Sequence, residues 1–177
     1  MQIFELSDII EYDDVFSESD YSEILKYVER PMWRYGHGSY PKEDARYKNS
    51  YPFWIMELME EKFFSEHLLN IIRKKTKLDL SLYYVYANGH TYGTKGVPHQ
   101  DWAYPNGKTF LYYVNPEWDP TWGGKIAFYL DENKYYFHLP KPNNAVLFPG
   151  VMYHNAEETS RSFNGLRITI AWKLILE

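Results

Sequence analysis

From Leu80 onward the chain is a succession of short extended segments punctuated by turn residues, and this pattern limits the fold more than anything else in the sequence. Leu80 to Ala87 reads as a strand ended by Asn88-Gly89, and further strands are predicted around 98–102, 109–115, 124–130, 134–138, 144–148, 151–156 and 166–175. Asn106-Gly107, Gly123-Gly124 and the run Asp131 to Lys134 supply turns, since Gly, Asn and Asp are the residues tight connections require. About eight short strands with regular turn signals imply an all-β jelly roll or sandwich.

The first 79 residues read differently. Residues 2–17 suit a short strand and a loop. Tyr21, Ile24, Leu25 and Val28 share a helical face, so a helix is predicted over about Ser19 to Arg30, with Asp20 and Glu23 as a capping-box-like start and Pro31 as its stop. Residues 32–52 read as strand plus loop, with an exposed polar run over 42–50, and Phe53 to Met56 as a buried strand or the start of a helix. Phe64, Leu68, Leu69 and Ile72 mark a second helix over roughly 60–75, and Arg73, Lys74 and Lys75 suit its C-terminal dipole. Both helices read as scaffold on one outer sheet face. The fold class is therefore mainly β with supporting α-helices, a double-stranded β-helix (jelly roll) core flanked by N-terminal helices. The expected organisation is a single domain over 1–177, with 1–79 as helical support and 80–177 as the core.

Composition narrows the functional classes. A net charge of −5 argues against a general nucleic-acid partner, which needs a basic face. The absence of cysteine excludes disulfides and thiolate metal sites and fits a reducing compartment. No basic, apolar leader opens the chain and no apolar run approaches membrane-spanning length, so a cytoplasmic protein without membrane association is expected. With 18 Tyr, 10 Phe and 6 Trp, the interior should be aromatic and many hydroxyls will need partners.

Chemistry concentrates at Pro98-His99-Gln100-Asp101-Trp102. His99 and Asp101 are two apart, so on an extended chain both side chains leave from one face. A further nitrogen ligand would complete the 2-His-1-carboxylate facial triad of non-haem Fe(II) oxygenases, and His154, beyond the Phe148-Pro149-Gly150 bend, offers it. Arg167 opens the last predicted strand with Thr169 on its face, and a buried guanidinium calls for an anion it can grip with two hydrogen bonds. His37, His67, His90 and His138 have no carboxylate at ligand spacing on a matching strand and read as structural or surface histidines. Trp102, Trp118 and Trp122 suit either a substrate groove or aromatic packing.

Taken in order, these residues resemble the Fe(II)/2-oxoglutarate-dependent dioxygenases, and within them the prolyl-4-hydroxylase-like group. Leu111-Tyr-Tyr-Val-Asn-Pro-Glu-Trp-Asp119 carries the likeness most closely, over a stretch of roughly 82–173. The resemblance implies that His99, Asp101 and His154 bind Fe(II). It implies that Arg167 pairs with the distal carboxylate of 2-oxoglutarate, aided by Tyr113 and Thr169, that Tyr86 lines that pocket, and that Trp172 packs beneath it. Tyr112 should point away from Tyr113 into the outer packing. One departure from the group is a longer loop between His154 and Arg167, which leaves Arg161 as a competing anchor, although the Gly165-Leu166-Arg167 context favours Arg167. The implied activity hydroxylates a prolyl residue or another peptide, protein or amino-acid-like substrate, using O2, releasing succinate and CO2, with ascorbate as a supporting reductant. The alternatives are the same chemistry on a nucleobase, lipid or small metabolite, and a metal-free β-sandwich binding protein.

Overall fold

The computed structural model describes residues 2–40, 42–46 and 51–177. Part of the polar run expected over 42–50 therefore lies outside the described residues. The N-terminal segment forms a 3-10 turn, Leu6–Asp8, and strand β1, Ile10–Tyr12. Helix α1, Glu18–Val28, is capped by Ser17, whose Oγ accepts from the Asp20 amide at 3.2 Å. The cap is thus Ser17 rather than the Asp20/Glu23 pair, because Ser17 holds an extended backbone that aims its hydroxyl at the unpaired amides of the first turn. Glu18 and Asp20 then meet the positive end of the dipole. Strands β2, Arg34–His37, and β3, Phe53–Glu57, follow, so the Phe53 segment is a strand and not the start of a helix. The second helix opens with a wide π-helical turn, Phe63–Leu68, and continues as α2, Leu69–Thr76, closed by Lys77 at φ 57°.

Eight further elements form the β region: β4, Leu80–His90; β5, Gly107–Tyr113; a 3-10 turn, Pro120–Trp122; β6, Ile126–Tyr129; β7, Tyr135–His138; β8, Ala145–Pro149; β9, His154–Ala156; and β10, Arg167–Leu176. β4 runs straight through Asn88-Gly89, which does not break it. Gly89 is in the strand for a packing reason: a Cβ there would lie 2.9 Å from a methyl carbon of Leu166. Residues 98–102 do not form the expected regular strand and pair only through one bridge, His99 with His154.

The strands make two antiparallel sheets, one seven-stranded in the order β1-β8-β5-β10-β4-β3-β2 and one three-stranded in the order β7-β6-β9. The result is a jelly roll. Three of the seven strands come from the N-terminal 79 residues, which supply sheet edges as well as helices. Two-residue alternation gives the large sheet two different faces. Val85, Phe110, Tyr112, Ile170, Trp172 and Leu174 face the helices, where Ile24, Phe64, Leu68 and Ile72 are buried against them. Leu111, Tyr113, Val146, Phe148 and Ala171 face the small sheet and meet Ile126 and Phe128. Tyr112 and Tyr113 accordingly point into opposite cores. Trp172 lies on the helix face, its indole N–H donating to the Phe64 carbonyl at 3.1 Å. No helix among the described residues is long and apolar enough to cross a membrane.

Candidate active site

The space between the two sheets opens into a cavity of about 550 Å³. At one wall the backbone of His99 exchanges two 3.0 Å hydrogen bonds with that of His154, which brings both imidazoles to the same side with ring centroids 4.5 Å apart. The Gly150 carbonyl, at the bend after β8, accepts from the amides of Asp101 at 2.8 Å and Trp102 at 3.1 Å. This fixes Asp101 beside the pair. His99 Nε2 lies 3.4 Å from Asp101 Oδ1 and His154 Nε2 lies 3.4 Å from Asp101 Oδ2. One donor atom from each of the three residues falls within 4.8 Å of the others.

The hydrogen bonds around the rings decide what this cluster can hold. His99 Nδ1 sits 2.9 Å from the Val97 carbonyl and His154 Nδ1 sits 3.0 Å from the Met152 carbonyl. A carbonyl only accepts, so each Nδ1 carries a proton, and in the neutral form of either ring Nε2 is the nitrogen whose lone pair is available to a metal. Burial pushes the His154 pKa down, Asp101 pulls it part of the way back, and it rests at about 3, so this ring is neutral near pH 7. Burial alone would raise the Asp101 pKa, but Lys173, His154 and His99 hold it well below the ordinary carboxylate range. Two imidazole nitrogens and a carboxylate converge on one point of the cavity. The donor set fits an ion that takes mixed nitrogen and oxygen ligands in a facial arrangement with open positions. Thr109 Oγ1 donates to Asp101 Oδ2 at 2.6 Å and orients the carboxylate from behind.

The closed end of the cavity is polar and cationic. Arg167 is 1% exposed, and its Nε donates to the Gly124 carbonyl at 2.7 Å while Nη2 has no partner. Gly123 and Gly124 have φ of +70° and +65°, which only glycine takes readily, and this turn aims the Gly124 carbonyl at Arg167. Thr169 and Tyr86 line the same cavity, as do Asn88 and His90. Both ring nitrogens of His90 and the Asn88 Oδ1 also lack partners. Burial, then the charge of Arg167, drives the His90 pKa well below its usual value, so the ring is neutral. The unpaired Arg167 Nη2 and the single N–H of the neutral His90 ring are buried donors, a cradle that an anion with several oxygens can fill, while Asn88 Oδ1 and the second His90 nitrogen can only accept.

Tyr113 is placed one layer back. Its ring lies 5.6 Å from the Arg167 guanidinium and its hydroxyl meets His138 Nδ1 at 3.1 Å rather than lining the cavity. Arg161 is exposed and donates from Nε to the Tyr92 hydroxyl at 2.7 Å, away from the cradle. Among the other histidines, His37 lines the cavity mouth, His67 pairs with Asp20 at 2.8 Å on the surface, and His138 is buried beside Glu11. Trp102 covers Gly107 and Gly150, and Trp118 and Trp122 pack with Phe163. Thr109, Asn88, His90 and Lys173 were not legible as site residues. Only Lys173 carried a signal, since it follows Arg167, Thr169 and Ala171 at two-residue spacing on one strand face.

A family model described as the 2OG-Fe(II) oxygenase superfamily matches residues 82–172. The chain belongs to the 2OG-Fe(II) oxygenase superfamily. Its members use Fe(II), 2-oxoglutarate and O2, and the donor cluster and the cationic cradle described above are what those groups need. No curated protein matches in sequence. Among solved structures, a prolyl hydroxylase from Trichoplax adhaerens, in complex with a hypoxia inducible factor peptide fragment, has a TM-score of 0.71 at 17% identity and covers 96% of this chain and 84% of that one. A Pseudomonas putida prolyl-4-hydroxylase has a TM-score of 0.67 at 13% identity, covering 96% and 93%. A 2OG-Fe(II) oxygenase family oxidoreductase from Burkholderia pseudomallei has a TM-score of 0.68 at 8% identity, covering 96% and 86%. At these identities the likeness is one of fold.

Proposed function

We propose that this 2OG-Fe(II) oxygenase hydroxylates a prolyl residue or another amino-acid side chain in a peptide, protein or amino-acid-like substrate. The observation that carries the reading is that a metal-binding triad and a buried, half-satisfied arginine share one cavity large enough for a cosubstrate and part of a substrate. In it His99, Asp101 and His154 hold Fe(II), and Arg167 takes the distal carboxylate of 2-oxoglutarate. Thr169 offers that carboxylate its hydroxyl, Tyr86 walls the cosubstrate pocket, and Tyr113 supports Arg167 from behind. Residues 1–177 act as one dioxygenase domain.

Bound there, Fe(II) supplies the coupling of 2-oxoglutarate decarboxylation, to succinate and CO2, with insertion of one oxygen atom from O2 into a substrate C–H bond. The chain's residues set the conditions. The carbonyls of Val97 and Met152 keep both Nε2 lone pairs turned inward, and Gly124 fixes the guanidinium plane by holding Nε. The apolar walls of Leu111, Ile126 and Phe148 exclude water and strengthen each charge contact. The amino-acid substrate class is supported by two features. The mouth is lined by aromatic and polar groups, among them Tyr40, Tyr83 and Tyr84, which suit a short polar-backbone ligand. The fold is also shared with prolyl hydroxylases, one of them in complex with a peptide.

The test is a screen of prolyl-containing peptides, free proline, single-stranded oligonucleotides and small metabolites with Fe(II), 2-oxoglutarate and O2, read by mass spectrometry. The proposal expects a product one oxygen heavier in the peptide or amino-acid arm, with succinate formed in equal amount. Coupled turnover confined to oligonucleotides or non-amino-acid metabolites would overturn it.

A further inference from the structure

The cavity holds a second cation that neither the triad nor the dicarboxylate cradle accounts for. Lys173 lies on the face of β10 that also carries Arg167 and Thr169, and all three side chains line the cavity. Its side chain is 12% exposed, and its ammonium donates to Asp101 Oδ2. Thr109 Oγ1 donates to that same oxygen at 2.6 Å. The ammonium also lies 5.8 Å from the centre of the Tyr86 ring. No other lysine or arginine reaches Asp101 among the described residues.

Two consequences follow from this placement. The first concerns coordination. Each carboxylate oxygen lies 3.4 Å from one imidazole, Oδ1 from His99 Nε2 and Oδ2 from His154 Nε2, but Oδ2 also carries the two donors, so Oδ1 is the oxygen left freer for an ion. A carboxylate fastened through one oxygen would offer a metal only the other, so His99, Asp101 and His154 would each hold it through a single atom. The second concerns charge. An imidazole ligates only in its neutral form, so as ligands the two rings and the carboxylate would present −1 to a divalent ion, whereas with the ammonium the cluster sums to zero. An added cation in a pocket of low dielectric repels a divalent ion and attracts a dianion.

Resting on the dioxygenase reading above, we propose that Lys173 is a positioning residue that holds Asp101 to a single ligating oxygen and balances the site's charge. The ion alone is then held loosely, and the dianionic 2-oxoacid is held tightly once the ion is in place. Loss of mere packing would weaken both; loss of this role moves them in opposite directions.

Mn(II) is titrated into the full chain for wild type, Lys173→Gln and Lys173→Arg, followed by 2-oxoglutarate into each Mn(II)-loaded protein, with folding checked by thermal melts. The Gln variant keeps an N–H donor without the charge. It is expected to bind Mn(II) about tenfold more tightly and 2-oxoglutarate about tenfold more weakly, while the Arg variant stays near wild type in both. If Lys173→Gln fails to fold, Lys173→Met is read by the same criteria. Both affinities weakened, both tightened or both unchanged overturns the proposal. Failure of Mn(II)-loaded wild type to bind 2-oxoglutarate would instead count against the dioxygenase reading, and Lys173 would then be judged on the Mn(II) affinities alone.

Discussion

His154 shows how a single residue carries the consequences of its surroundings. Its ring is buried, its Nδ1 proton is committed to the Met152 carbonyl, and its pKa is held at about 3 against an ordinary 6.5. The sign of the resulting pH dependence follows. Between these values an unfolded chain takes up a proton that the folded chain refuses, so lowering the pH favours unfolding. The metal-free protein is therefore expected to lose melting temperature as the pH falls from 6.5 toward 3, and His154→Asn should make the slope shallower. It should not flatten it, because burial lowers the pKa of His90 and His138 as well. A scan of melting temperature against pH checks this. A wild-type curve rising on acidification would contradict it. The triad was legible in the sequence because His-x-Asp and a later His are local tokens whose face and order can be read directly. Thr109 and Asn88 were not, because each is an ordinary strand residue whose meaning lies in what the neighbouring strands bring opposite it.

At the scale of elements, the turn before β6 does for Arg167 what the two carbonyls do for the histidines. A Cβ on Gly124 would lie 2.9 Å from both Arg167 Cδ and a Trp118 ring carbon, and its φ of +65° adds strain for any other residue. Gly124→Ala is expected to destabilise the fold by about 1–3 kcal/mol and to weaken 2-oxoglutarate binding by displacing the guanidinium. Gly93→Ala is the control. Its φ of +80° carries comparable backbone strain, but nothing lies within 4 Å of the added methyl, so stability should fall with cosubstrate binding retained. Denaturant unfolding together with calorimetric titration separates the two. The Gly-Gly pair was readable as a turn from sequence, but its role as a clamp was not, since that depends on β10 returning beside it. The reverse holds at Asn88-Gly89, which has the composition of a turn yet continues β4. Pairing with β10 on one side and β3 on the other outweighs the local preference, and the missing side chain makes room for Leu166.

The whole molecule divides labour between the two faces of its large sheet. One face buries Trp172, Tyr112 and Phe110 against the helices, and the other carries the cavity. Stability and chemistry should therefore be separable by mutation. Trp172→Ala is expected to lower stability by about 3–5 kcal/mol through lost packing and the lost hydrogen bond to Phe64, while folded protein at low temperature keeps its Mn(II) affinity. A large loss of metal affinity in folded Trp172→Ala would show the faces to be coupled. This division explains why the fold class was legible: alternating apolar positions along the late strands write both faces into the sequence. What was not legible is the contribution of β1, β2 and β3, since three to five residues each carry too little periodicity to declare their partners.

The account rests on a metal and a dicarboxylate being bound side by side by these residues, and 2-oxoglutarate titrated into the protein with and without Mn(II) tests it most directly. Binding is expected only when Mn(II) is present. It should be lost in Asp101→Ala, through loss of the metal, and weakened about a hundredfold or more in Arg167→Met, which leaves a buried carboxylate without its guanidinium and keeps the metal. Equal binding of 2-oxoglutarate with and without the metal, or an Arg167→Met protein that binds it as wild type does, would contradict the account.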